Sequence, residues 1–216
     1  MSESSAVRIG IGIVGVGNIG GALARHFART GHEVAVANSR GPETLGDLVA
    51  ELGPRARAVT AEEALRFGEV AVVSIPLHAI DRLPADGVAP GTIVIDTNNY
   101  YPGRDGQIAV LDDDSSTSSE LLAARLPSAR VVKAFNAIYS AWLAERGLPA
   151  GDPARLAIPI SGDDADAKRV VGELIDEIGF DAVDAGTLAE GGRKHQPDTP
   201  PYGAEAGAEQ LRRLLG

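Results

Sequence analysis

Cysteine is absent from this 216-residue chain, which excludes disulfides, thiol catalysis and cysteine metal sites. Positive charge is also scarce: 20 Lys and Arg stand against 30 Asp and Glu, a formal net charge of -10. That balance argues against nucleic acid or an anionic membrane surface as the main partner, while leaving room for a local basic pocket around a phosphate. No apolar run reaches the roughly 18 residues of a membrane helix. Met1-Ser2-Glu3-Ser4-Ser5 has no basic region followed by an apolar stretch, so the expected location is the cytoplasm. Metal-ligand spacing is missing as well, and Asp112-Asp113-Asp114 reads as a solvated loop or a helix start rather than a cation site. What remains is 44% hydrophobic, ordinary for a globular protein and enough to bury a core.

Strand-like and helix-like segments alternate along the chain. Val7 to Val14 is a β-branched run, and Ile19 to Thr30 has helical spacing with Leu23 and Phe27 four apart and Gly31 as a stop. Glu33 to Ala37 is the next strand, followed by a helix from Pro42 to near Gly53 and a weak strand over Ala56 to Val59. Thr60 with Glu62 and Glu63 reads as a helix cap. Val70 to Ile75 and Thr92 to Asp96 are short apolar runs suited to the interior of a parallel sheet. A polar loop is expected from Thr97 to about Ser115, then a helix to Leu126 and strands at Arg130 to Ala134 and Leu156 to Ile160. A helix at Ala165 to Ile178 and a strand at Phe180 to Asp184 follow. The pattern predicts an α/β fold: a doubly wound, Rossmann-type, mainly parallel sheet. Residues 1–185 form the nucleotide-binding domain, and 186–216 a C-terminal loop-and-helix extension. Within that extension, the stretch from Gly186 to Pro201 is too rich in Gly and Pro for a packed element, and a short helix covers Glu205 to Leu215.

The chemistry is concentrated at the first turn. Gly15-Val16-Gly17-Asn18-Ile19-Gly20 is a G-x-G-x-x-G between a strand and a helix, the context that gives this pattern meaning. Gly15 permits the tight turn, Gly17 lets a pyrophosphate approach, and Gly20 lets helix and sheet pack closely. Exposed N–H groups and the helix dipole receive the phosphates. About 20 residues further on, NAD-binding domains place a carboxylate on the ribose 2′-hydroxyl. Here Asn38-Ser39-Arg40 stands instead. A carboxylate would repel a 2′-phosphate, whereas Ser39 and Arg40 can bind one, so NADP(H) is the expected cofactor.

Other strand ends supply the rest of a cleft. Ser74-Ile75-Pro76 ends one strand, Asp96-Thr97-Asn98 the next, and Phe135-Asn136-Ala137 follows another. Asn98 and Asn136 are candidates to bind a nicotinamide carboxamide or an acceptor ring. Among the histidines, His26 and His32 read as structural, and His78, just after Pro76, is the acid/base candidate. His195 lies in the basic cluster Arg193-Lys194-His195, which either holds an anionic tail or is solvated. Only three lysines exist, Lys133, Lys168 and Lys194, and no separate helical domain remains to carry a catalytic one. Alcohol dehydrogenases need a group to move the hydroxyl proton. Transfer between two cofactor rings needs mainly stacking and orientation.

Ile11 to Leu45, with Gly-Val-Gly-Asn-Ile-Gly and Asn-Ser-Arg-Gly-Pro-Glu-Thr-Leu, resembles the NADPH-dependent coenzyme F420 reductases. The likeness continues in Val131 to Asn136, Ser161 to Asp164 and Val183 to Leu188. The resemblance implies hydride transfer between NADP(H) and the deazaflavin F420 as co-substrate, in a homodimer. By position it places Gly15, Gly17, Asn18 and Ile19 at the pyrophosphate and Ser39 and Arg40 at the 2′-phosphate. It puts Ile75 and Pro76 beside the nicotinamide and Asn136 near the ring interface. Departures fall on the acceptor side, at Leu77 and in the proline-rich stretch with Pro197, Pro200 and Pro201. Two alternatives stay open: an NADPH reductase of a flavin or ferric chelate, resembling the cytoplasmic domain of the STEAP metalloreductases, and a non-catalytic NADP(H)-sensing module.

Overall fold

A computed structural model of the chain describes residues 8–216; the start of the first predicted strand, at Val7, lies outside them. Among the described residues, eight strands form one sheet in the order β3-β2-β1-β4-β5-β6-β7-β8. They are β1 (Gly10–Val14), β2 (Glu33–Ala37), β3 (Ala56–Ala58), β4 (Val70–Val73), β5 (Ile93–Asp96), β6 (Arg130–Lys133), β7 (Ala157–Gly162) and β8 (Asp181–Gly186). All neighbours pair in parallel except β6 and β7, which pair antiparallel with Lys133 opposite Ser161. The order reverses beside β1, which creates the crevice between β1 and β4 where doubly wound sheets bind ligands.

The described residues form ten α-helices: α1 (Asn18–Arg29), α2 (Gly46–Leu52), α3 (Ala61–Leu65), α4 (Pro102–Asp105), α5 (Ala109–Asp112), α6 (Ser118–Arg125), α7 (Ser140–Glu145), α8 (Ala165–Glu177), α9 (Glu190–Lys194) and α10 (Ala208–Leu215). Successive strand residues point to opposite faces, so the strands feed two cores. Ile11, Ile13, Val34, Val36, Val70 and Val72 join Leu23 and Phe27 of α1 and Val171 and Ile175 of α8. Val14, Ala71, Val73 and Val94 join Leu65 of α3 and Leu122 of α6. Gly12 permits the close approach of α3 to β1, because a Cβ there would lie 1.8 Å from the Ala64 carbonyl oxygen.

Several segments differ from expectation for local reasons. The predicted helix from Pro42 splits into a 3-10 turn (Pro42–Leu45) and α2, because Leu45, at φ -107° and ψ 8°, leaves the helical region between them. The polar loop after Thr97 contains α4 and α5, too short to show helical periodicity. The Gly- and Pro-rich stretch after Gly186 does pack: α9 buries Gly191 and Gly192, and a Cβ on Gly191 would sit 2.7 Å from the Ala185 carbonyl. Glycine there serves close approach rather than disorder. The last helix begins at Ala208, and its Leu211 and Leu215 cover Ala157, Val183 and Ala185 of β7 and β8. Among the described residues no helix is long and apolar enough to cross a membrane.

Candidate functional site

The glycine turn between β1 and α1 is shaped by backbone constraints. Gly15 has φ +95°, and its N–H donates to the Ala37 carbonyl at 2.9 Å, tying the turn to the end of β2. A Cβ on Gly20 would lie 1.9 Å from the Gly15 carbonyl oxygen. Gly17, in contrast, has no protein atom within 4 Å of an added Cβ. It is exposed in front of the N-terminus of α1, whose cap has no side-chain partner. Gly15 and Gly20 therefore answer to packing, whereas the space at Gly17 lies open in front of a helix N-terminus, a position that can take an anion. Val16 continues the same turn. After β2, the turn Asn38-Ser39-Arg40 leaves Ser39 and Arg40 exposed. Asn38 shapes it, accepting from the Arg40 N–H at 2.8 Å and donating to Thr44 Oγ1 at 2.9 Å. No carboxylate ends β2, which leaves this turn compatible with a 2′-phosphate.

A cleft of about 430 Å³ opens at the carboxyl ends of β1, β4, β5 and β6. Gly17, Asn18 and Ile19 form one end, and Ser74, Ile75 and Pro76 one wall. Thr97, Asn98, Asn99, Phe135, Asn136, Ile138 and Ser140 form the floor and the far wall, and Tyr101, Arg104, Tyr139 and Tyr202 complete it. The structure thus brings together most residues expected from the strand ends. Gly15, Val16, Ala137 and the Asn38-Ser39-Arg40 turn do not line this cleft. Asn98 is 3% exposed. Its Oδ1 accepts from the Ile75 N–H at 3.2 Å, while its Nδ2 is buried without a hydrogen-bond partner. An orphaned donor in a ligand cleft fits a bound carboxamide or carbonyl.

Asn136 is differently placed. Its Nδ2 donates to Asn99 Oδ1 at 2.9 Å and to the His195 carbonyl at 2.8 Å, and its Oδ1 meets His195 Nδ1 at 2.9 Å. Both amide protons are spent inside the protein. The preceding Phe135 is fully buried with φ +62°, a conformation costing about 1–3 kcal/mol that the surrounding bonds must impose. His78 does not line the cleft. Its ring Nδ1 bonds Asp105 Oδ1 at 2.9 Å, and its side chain is 44% exposed. Burial works against charge on Asp105, but hydrogen bonds from Arg104, the Tyr101 N–H and His78 outweigh it and hold the carboxyl well below its usual range.

His195 corrects the sequence reading most sharply. It is neither solvated nor an anion site but fully buried, with Nε2 2.7 Å from Ser161 Oγ. Since Asn136 Oδ1 can only accept, Nδ1 carries the proton and Nε2 accepts from Ser161. Burial, reinforced by the charge of Lys133, pushes the imidazole well below its usual value, so it is neutral. Lys133, which no sequence argument placed in the site, is 1% exposed at the end of β6. Its Nζ donates to the Asn98 carbonyl at 2.9 Å, Ser118 Oγ at 3.0 Å and Ser119 Oγ at 3.1 Å, with Asp96 Oδ2 3.9 Å away. Burial lowers its pKa and Asp96 opposes the shift. A lysine directly after the apolar Val131-Val132 pair of β6 was the available signal. The tyrosines were missed because nothing in their spacing announces a cleft; only the fold collects them.

A family model described as "NADP oxidoreductase coenzyme F420-dependent" matches residues 10–100. Metalloreductase STEAP3 of Rattus norvegicus is 33% identical over 181 residues, covering 83% of this chain and 34% of that protein. The chain spans 29–39% of the length of the curated relatives it matches. Among solved structures, a hypothetical protein from Sinorhizobium meliloti is 32% identical with a TM-score of 0.78, covering 92% of this chain and 94% of that one. A proposed F420-dependent NADP reductase from Arthrobacter sp. FB24 shares the fold, with a TM-score of 0.70 at 23% identity over 85% of this chain and 88% of that one.

Proposed function

Since the chain belongs to the coenzyme F420-dependent NADP oxidoreductase family, and is an NADP(H)-binding oxidoreductase, we propose that it transfers hydride between NADP(H) and coenzyme F420. One observation carries this reading. Tyr101, Arg104, Tyr139 and Tyr202 are the titratable groups lining the cleft; no histidine, lysine or carboxylate is among them, and burial with the bond to Tyr101 raises the Tyr202 phenol above its usual range, which makes it a poor base. Oxidation of an alcohol needs a base at the hydroxyl. Transfer between two conjugated rings needs the rings stacked, oriented and shielded from water. Bound NADPH would supply the hydride and F420 would take it.

The protein's own part is positional. The N–H groups at Gly17, Asn18 and Ile19 hold the pyrophosphate, with Gly15 and Val16 setting the turn. Ser39 and Arg40 hold the 2′-phosphate on the turn shaped by Asn38. Ile75 and Pro76 back the nicotinamide beside Ser74, and Asn98 Nδ2 donates to its carboxamide. Phe135, Asn136 and Ala137 shape the floor, Asn136 through its backbone rather than its spent amide. The NADP-binding unit is residues 1–185, and the extension 186–216 completes the acceptor side through Tyr202. Tyr139 is 53% exposed at the mouth, and pairing two chains over that open side would exclude water. We therefore include a cytoplasmic homodimer in the reading, with light scattering of the purified protein as its test.

A second reading has its own support: the identity with Metalloreductase STEAP3 favours a flavin or ferric chelate as acceptor. Oxidation of NADPH by the purified protein, measured side by side with F420, FMN and a ferric chelate, separates the two. Fastest turnover with F420 supports the first reading. Turnover with FMN or the chelate but not F420 supports the second, and failure with all three leaves a sensing module.

A further inference from the structure

We propose that the phenols of Tyr101 and Tyr202 act as a unit that donates one hydrogen bond to a ring carbonyl or ring nitrogen of the acceptor. The inference rests on the reading above that an acceptor sits beside the nicotinamide. Both tyrosines line the cleft, and their hydroxyls are hydrogen-bonded to one another. Two phenols carry two protons, and only one can lie between the two oxygens. The other has no protein acceptor among the described residues, so it is offered to whatever fills the cleft.

The two rings are fixed from separate parts of the chain. The Tyr101 N–H donates to Asp105 Oδ2 at 3.0 Å, and the Arg104 guanidinium lies 4.8 Å from the Tyr101 ring centroid. The Tyr202 N–H donates to the Thr199 carbonyl at 3.0 Å, and the next residue, Gly203, donates to the Ala137 carbonyl at 2.8 Å. That second bond ties the C-terminal turn to the loop after β6. The pair is therefore held in place before any ligand arrives. Burial, aided by the bond to Tyr101, pushes the Tyr202 phenol above its usual range, so it remains a neutral donor.

This arrangement selects an acceptor class. Hydride brings two electrons and one proton to a ring carbon. Negative charge then develops on a conjugated oxygen or nitrogen, and a proton from water completes the reduced product. A fixed donor at that heteroatom stabilises the charge as it forms. A planar ring with a conjugated carbonyl or imine uses such a donor, whereas a metal centre reduced by electrons alone does not.

The test is the Tyr101→Phe/Tyr202→Phe double variant, which keeps both rings and removes both hydroxyls. Two readouts are needed: kcat with F420 at saturating NADPH, and the carbonyl stretch of oxidised F420 bound with NADP+, by Raman difference spectroscopy. Loss of a donor to developing charge costs about 10²–10³ in rate, so kcat should fall about a hundredfold. The carbonyl stretch should move to higher frequency, and an unchanged Kd for NADPH would show an intact fold. Each single variant keeps one donor and should lie in between. A kcat within twofold of wild type with only KM for F420 raised, or an unshifted band, would reduce the tyrosines to packing walls and overturn the proposal. The spectral readout requires binding rather than turnover. A wild-type protein that binds F420 without reducing it would thus sink the proposed function, and the band shift would still decide on the phenol pair.

Discussion

His195 and Asn136 hold one another through two reciprocal hydrogen bonds: the imidazole Nδ1 donates to the amide Oδ1 at 2.9 Å, and the amide Nδ2 donates to the His195 carbonyl at 2.8 Å. The pair joins the loop after α9 to the cleft floor, and Ser161 on β7 fixes the far side of the ring. Asn136 also reaches Asn99, whose neighbour Asn98 offers its carbonyl to Lys133. One buried polar network thus sets the loops after β5 and β6 beneath the cleft.

That network makes stability depend on pH. His195 stays neutral in the folded protein and protonates near pH 6.5 when unfolded. Below that pH the unfolded chain binds more protons, so stability present above pH 6.5 is lost as pH falls. The slope is up to about 1.4 kcal/mol per pH unit. His26, lowered mainly by burial, acts in the same direction. Urea midpoints at pH 7 and pH 5 should show a drop of about 2 kcal/mol from His195, removed in His195→Gln. An equal drop in the variant would mean that His195 is not the titrating group.

Two glycines of the turn, Gly17 and Gly20, should separate fold from binding. Gly17→Ala places a methyl group in open space, so the melting temperature should hold while NADPH binding weakens at least tenfold. Gly20→Ala drives a methyl group into the Gly15 carbonyl and should destabilise the fold by about 1–3 kcal/mol, as overpacking does. Thermal melts and NADPH titrations check both. Undiminished binding by Gly17→Ala would place the pyrophosphate elsewhere.

Arg40→Ala should weaken NADPH by roughly 1.5–3 kcal/mol, the value of a charge-assisted hydrogen bond, and leave NADH nearly unchanged. Calorimetric titration with the two dinucleotides measures the difference directly. Equal losses would show that Arg40 does not read the 2′-phosphate.

His78 is bound to Asp105 and lies outside the cleft lining. His78→Ala should therefore lower turnover with F420 by less than about tenfold, below the usual range for a lost general acid. A thousandfold loss with NADPH binding intact would make it the catalytic acid.

Much of this was legible in the residues alone. Short β-branched apolar runs such as Val70–Val73 suit buried strands, and the spacing of Gly15, Gly17 and Gly20 specifies a turn that leads into a helix. The expected absence of a carboxylate at the end of β2 is a matter of sequence alone, and Ser39 and Arg40 are exposed on that turn. The tyrosine wall of the cleft was not legible, because Tyr101, Tyr139 and Tyr202 come from three separate loops and meet only after the sheet has formed. His195 was misread for a related reason. Its neighbours Arg193 and Lys194 are basic, and only the register of β6 against β7 reveals a buried slot beside Ser161. Gly191 and Gly192 resemble a flexible tail until packing shows Gly191 against Ala185 of β8 and Gly192 facing Lys133 and Thr117.

The most direct measurement follows deuterium from the nicotinamide. NADPH deuterated at C4, prepared separately on each face, is mixed with F420 and the protein, and reduced F420 is examined by mass spectrometry. Direct hydride transfer puts the label into F420 from one of the two preparations and leaves it in NADP+ from the other. Reduced F420 without label from either preparation, or NADPH consumed only with a ferric chelate, would contradict it.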